Sequence, residues 1–538
     1  MILEPQVNQE DSSLKELIIV IILMAFTVLF LFFGKILQWT TKDTSPLTNT
    51  LTQFFIARTK GVEITQPETN AVIIFILFLV LLLSASGYLI YKFKPQLESF
   101  IEQRKIKRRF SSEQGTARWA TVQHLQKLTG KDGVLIGYEN SVIQKEVRLS
   151  MQASCEHLAI IGPTGCGKTT KFFIPNILTI APNTSMIITD PKGELEKTTA
   201  PTLQARGWDT YSFSLENIIN SYNPLAIVRE DTEVYELANI MLQNGYSSGG
   251  QAGDTQWVNF ALPLWESALF AELYLAKKEN RLPLITNAYD FLIEKSNDEQ
   301  IEIVAEEGGP AYQSYLAFMQ AGQSPETSSS IKMVATTSLK LFTRPDIKKA
   351  ITHGQPFNPK WLREKPTAYF IQIPEHKSNL MKPLAATIYW QLMEHLIETP
   401  GLPIVFFLDE FANIGKIPGF AQMAATLRSR KISLNICLQG IEQLSREYSK
   451  EEQTDIINNM KTKIYFPGSS GESGGHFTEM AGKSTSKIDG LKQGVSLMTA
   501  DELRRIPDNH VAILAHNLNP IILKTVPWYE NKQFKKII

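Results

Sequence analysis

The chain has 538 residues, with 54 Lys and Arg against 54 Asp and Glu, so its formal net charge is zero. That length is too great for one ordinary core and predicts several domains. The balanced charge excludes a globally basic nucleic-acid binder. Cys155, Cys166 and Cys437 have no metal-ligand spacing, which fits reduced thiols facing a cytoplasmic compartment.

Two apolar runs lead the chain. Leu17 to Phe33 and Ala71 to Ile90 carry no charged residue, and a bilayer core takes roughly 20 helical residues. The runs predict transmembrane helices at about 15–35 and 71–91, joined by a short polar extracytoplasmic loop. Lys15, Glu16 and Lys35 flank the first run and can snorkel. Lys92, Lys94, Arg104, Lys105, Lys107, Arg108 and Arg109 follow the second, which places that side in the cytoplasm. The cluster reads as topology and lipid-headgroup contact, with DNA contact as the alternative. Residues 1–110 are therefore expected to be a membrane anchor.

The soluble part opens with Gly115-Thr116-Ala117-Arg118-Trp119-Ala120. Leu158 to Ile161 then reads as a buried strand, followed by Gly162-Pro163-Thr164-Gly165-Cys166-Gly167-Lys168-Thr169, with Thr170 continuing into a helix to Thr179. Strand, G-x-x-x-x-G-K-[ST] loop and helix in that order predict a phosphate-binding loop. Its backbone N–H groups and the helix N-terminus would face phosphate oxygens. Lys168 would reach the β- and γ-phosphates of ATP, and the Thr169 hydroxyl would ligate Mg²⁺.

A second buried strand, Ser185 to Asp190, ends in Asp190-Pro191-Lys192-Gly193-Glu194. Asp190 could hold the metal's second shell or a water, or cap a turn and helix; the spacing leaves both open. Beyond Asn223-Pro224-Leu225 the pattern turns helical, which predicts an all-α domain over 229–327 inserted into an α/β nucleotide-binding domain at 111–228 and 328–538. Strand signals return at Tyr369 to Ile373. Pro403 to Glu410, PIVFFLDE, has the form of a second nucleotide motif. Asp409 would hold Mg²⁺ through water, and Glu410 would polarise the attacking water. Gln439, at the end of the strand Ser433 to Leu438, could sense the γ-phosphate. Arg428 and Arg430 end the preceding helix. Either could serve a neighbouring subunit as an arginine finger, or both could simply complement the helix dipole.

Together, GTARWA at 115–120, HLAIIGPTGCGKTT at 157–170, DPKGE at 190–194, NPL at 223–225, FLDEFANIGKIP at 407–418 and LMTADELRRIP at 497–507 resemble the coupling ATPases of type IV secretion and conjugation, the TraG/TraD-like class. The resemblance covers nearly the whole chain. It implies a RecA-like P-loop domain with an all-helical domain, two transmembrane helices ahead of them, and a hexamer in the bacterial inner membrane. It further implies ATP hydrolysis that passes relaxase–DNA or protein substrates to a secretion channel, with single-stranded DNA as cargo. Two alternatives stand beside this motor: a nucleotide-gated docking platform for secreted proteins, and a septal-type DNA translocase.

Overall fold

The computed structural model describes residues 115–139, 145–248, 256–488, 491–531 and 534. Both expected membrane spans and the basic cluster at 92–109 lie outside them. Among the described residues, no helix is long and apolar enough to cross a membrane.

A 13-stranded sheet carries the fold. In chain order its strands are β1 (Leu135–Tyr138), β2 (Glu146–Arg148), β3 (Leu158–Ile161), β4 (Ser185–Thr189), β5 (Asp209–Ser214), β6 (Asn220–Ser221), β7 (Gln355–Pro356), β8 (Thr367–Gln372), β9 (Ile404–Leu408), β10 (Ile432–Leu438) and β11 (Thr462–Tyr465). A separate two-stranded hairpin, β12 (Lys483–Ile488) and β13 (Leu491–Ser496), comes next, and then β14 (His510–Ala515) and β15 (Ile521–Lys524) complete the large sheet. The order across that sheet is β2-β1-β15-β14-β11-β3-β10-β9-β4-β8-β5-β6-β7. From β11 to β7 all neighbours are parallel. From β11 outward to β2 they are antiparallel.

The parallel core follows from its strand sequences. LAII, SMIIT and IVFFL are buried at every residue. Such continuous apolar runs suit strands covered on both faces, where alternation with water is not available. Side chains still alternate between the two cores: Ala159 and Ile161 join one, Leu158 and Ile160 the other. This is the RecA-like α/β arrangement that the family resemblance implied. β10 lies between β3 and β9, and that order governs the site described below.

Among the described residues, the elements from Asp231–Ser248 to Pro345–Thr352 are all helical. The long apolar helices Asp231–Ser248 and Gln256–Lys278 bury their faces in the same core as one side of the sheet. Start signals punctuate the run. Ser296 and Glu299 form a capping box, and Pro310, Pro325 and Pro345 open three helices at the first turn, where a missing N–H costs nothing. Helix Asp231–Ser248 meets helix Pro325–Ser338 at Gly245, where an added Cβ would lie 2.1 Å from the Ser338 carbonyl oxygen.

Candidate functional site

The phosphate loop leaves the carboxyl end of β3. Gly162 N–H donates to the Leu438 carbonyl at 3.1 Å, which pins the loop's entry to the end of β10. Gly165 and Gly167 then take φ of +82° and +93°, a region that side chains with a Cβ avoid. Lys168 is buried and donates to the carbonyls of Gly162 at 2.5 Å and Pro163 at 3.1 Å. Its ammonium thus sits in the mouth of its own loop.

Asp409 and Glu410 leave the carboxyl end of β9, two strands away. Parallel strands aim their carboxyl ends at one crevice, so both acids face the loop. One cavity of about 480 Å³ is lined by Lys168, Thr169, Asp190, Asp409, Glu410 and Gln439, together with Thr164, Gly165, Gly167 and Thr170 of the loop. Gly162, Pro163 and Cys166 form the back of the loop, not the cavity wall; burial pushes the Cys166 thiol pKa up. Desolvation raises Asp409 to about 6, with Glu410 adding repulsion, while the Cys437 thiol and Lys168 pull it down. A buried carboxylate in that state gains from a cation. Among the described residues, no cluster of three or more His, Cys, Asp or Glu is arranged to hold a metal by itself. The Thr169 hydroxyl and Asp409 fit Mg²⁺ brought with phosphate oxygens.

Glu410 is held in the left-handed region, φ +52° and ψ +50°. Gln439 follows β10, between the loop strand and the acid strand, and its amide donates to both Glu410 oxygens at 3.1 Å. The backbone N–H of Gln439 in turn donates to the Gln443 side chain at 2.8 Å. The sheet order therefore brings a residue 29 positions away in sequence onto the carboxylate.

Asp190 is buried and accepts from the backbone N–H of Glu196 at 2.8 Å, capping helix Glu194–Ala205, while its own N–H donates to Ile371. One carboxylate oxygen thus caps the helix while Asp190 also lines the cavity, so both readings left open by the sequence stand. Arg428 and Arg430 stand at the amino end of β10, opposite the strand ends that form the cavity. Arg428 pairs with Glu156, which precedes the amino end of β3, at 2.5 Å. The Arg430 carbonyl accepts from Arg363 at 3.1 Å, just before β10 begins. Neither arginine lines the cavity of its own chain. Five lining residues, Pro191, Lys192, Glu194, Leu195 and Glu375, were given no site role by the sequence. Lys192 and Glu375 flank the mouth, 3.8 Å apart. Lys192 sits in the DPKGE turn, a usable signal; Glu375 carried none.

A model of the family described as "Type IV secretory system Conjugative DNA transfer" matches residues 118–537. The VirD4 protein of Rhizobium radiobacter is 23% identical over 470 residues, 80% of this chain and 66% of its own length. That of Agrobacterium fabrum is 22% identical over 413 residues, 71% of this chain and 60% of its own. The chain thus spans less than two thirds of the length of these two curated relatives. Among solved structures, the plasmid coupling protein TrwB in complex with ADP and Mg²⁺ superposes with a TM-score of 0.62 at 16% identity, covering 78% of this chain and 94% of that one. TrwB with an ATP analogue gives 0.61 at 17% identity over 78% and 95%. Likeness at that identity establishes a common fold.

Proposed function

This chain belongs to the type IV secretory system conjugative DNA transfer family, and from that premise we propose that it is a membrane-anchored coupling ATPase. It recruits relaxase–DNA or protein substrates and drives them into a secretion channel by hydrolysing ATP. The observation that carries the reading is the shared cavity: Lys168 and Thr169 from one strand end, Asp409 and Glu410 from another, with Gln439 between. The loop grips the triphosphate through backbone N–H groups and Lys168. Glu410 accepts the proton of the attacking water, and Gln439 orients that carboxylate. Thr169 directly, and Asp409 through water, would hold Mg²⁺, which when bound neutralises charge on the phosphates.

The finer reading has three further parts. The two apolar runs tether the chain to the bacterial inner membrane, with the ATPase in the cytoplasm. The chain works as a homo-oligomer, a hexamer, since Arg428 and Arg430 stand apart from their own cavity and can serve a neighbour's. Single-stranded DNA passes through the assembly, and the inserted helical region receives substrate. The test is ATP turnover by the purified full chain with and without single-stranded DNA. Stimulation by DNA that disappears in Lys168→Ala is the expected result. Turnover indifferent to DNA would overturn the DNA motor.

A further inference from the structure

The helix after the phosphate loop begins in π register, Thr169–Phe173, before turning α at Ile174. Pro175 explains this. In an α-helix its ring would collide with the carbonyl of Lys171, and it offers no N–H. The wider turn moves that carbonyl away. The consequence falls on Thr170. Ile174 N–H, its α partner, bonds to Thr169 instead, and its π partner would be Pro175, which has no hydrogen to give. The Thr170 carbonyl is instead taken by Trp528 N–H at 3.0 Å, from the segment that follows β15.

A second tie reaches the loop from the other end of the same hairpin. Lys171 Nζ bridges the Cys166 carbonyl at 3.1 Å and the Asp508 carbonyl at 2.8 Å, just before β14. A trans peptide points its C=O and N–H in opposite directions. Holding the Cys166 carbonyl back therefore aims Gly167 N–H forward, on the side where Gly167 lines the cavity. The Lys171 stem crosses so close that a Cβ on Gly167 would lie 2.9 to 3.1 Å from its terminal atoms. The two ends of the hairpin are themselves joined by Thr525 N–H to the Asn509 carbonyl at 2.7 Å.

We infer that the β14–β15 hairpin is a clamp on the back of the phosphate loop, with Lys171, Pro175 and Trp528 as positioning residues for the nucleotide. The inference rests on the proposed nucleotide reading and adds a control point to it: displacement of the hairpin loosens the grip on phosphate without touching a catalytic group.

The experiment measures binding of a fluorescent ATP analogue, KM and kcat for ATP, melting temperature, and hydrogen exchange at Trp528, all on the full chain. In Lys171→Met, Kd and KM should rise about tenfold, the effect of losing a hydrogen-bonded tether worth ~1.4 kcal/mol, with kcat and melting temperature nearly unchanged. Lys171→Arg should restore binding. Pro175→Ala supplies a competing N–H, so the Trp528 amide should exchange faster and Kd rise. Wild-type binding in both Lys171→Met and Pro175→Ala overturns the clamp, as does equal loss in Lys171→Arg and Lys171→Met. If wild type itself binds no nucleotide, the proposed function falls. If wild type binds, Lys168→Ala does not, and the clamp variants match wild type, the clamp alone falls.

Discussion

The base role proposed for Glu410 comes with a backbone cost, and the two can be separated by substitution. Its φ of +52° and ψ of +50° place a non-glycine residue in a region that costs roughly 1–2 kcal/mol. Its carboxylate is held by two 3.1 Å bonds from Gln439 beside the phosphate loop. Glu410→Gln preserves side-chain length and one acceptor for Gln439, and leaves Lys168 and Thr169 intact, so ATP should bind as in wild type. Losing the base should lower kcat by about 10²–10⁴, which is ~3–5 kcal/mol of barrier. Glu410→Gly removes the same base and also the backbone cost. After subtracting glycine's greater freedom in the unfolded chain, about 0.5–1 kcal/mol of stability should be gained. Phosphate release at saturating ATP and Mg²⁺, analogue binding, and thermal unfolding together provide the assay. Turnover of Glu410→Gln within about threefold of wild type would refute the base assignment, and a Gly variant less stable than the Gln variant would refute the strain.

Three further outcomes are expected. His157 is buried between the Ala424 carbonyl at 2.6 Å and Leu434 N–H at 3.1 Å, and burial lowers its pKa to about 4. Unfolded it titrates near 6.5, so the unfolded chain binds more protons between those values; stability is full above about pH 6.5 and falls by ~3 kcal/mol as pH drops toward 4. Denaturation midpoints compared with His157→Asn across that window check this, and parallel curves would contradict it. Gly245→Ala should destabilise the helical region by more than about 2 kcal/mol, because the new Cβ would meet the Ser338 carbonyl oxygen at 2.1 Å; an unchanged urea midpoint would refute that. Arg428→Ala or Arg430→Ala should cut turnover by ~10³ or more if that residue is the finger. Mixing the affected variant with Glu410→Gln should restore part of the activity, while normal turnover in both arginine variants would remove the finger assignment.

Local sequence determined the parts whose physics is local. A glycine-bounded turn ahead of a helix, Gly162 to Thr169, is legible because few other sequences let backbone N–H groups converge. Runs such as PIVFFLDE announce a strand covered on both faces that ends in acids, and helices are marked by their caps and by proline starts. Tertiary structure alone decided which strand ends meet. The strand order β3-β10-β9 set Gln439 between the loop and Glu410, and left Arg428 and Arg430 at the amino end of β10, away from the carboxyl ends that form the cavity. The Thr170 carbonyl illustrates the division: Pro175 dictates from five residues away that it must lose its helical partner, but Trp528 becomes the replacement only when β15 folds back beside the loop. Pairing between distant strands is paid in chain entropy and decided by the whole core, so no window of sequence contains it.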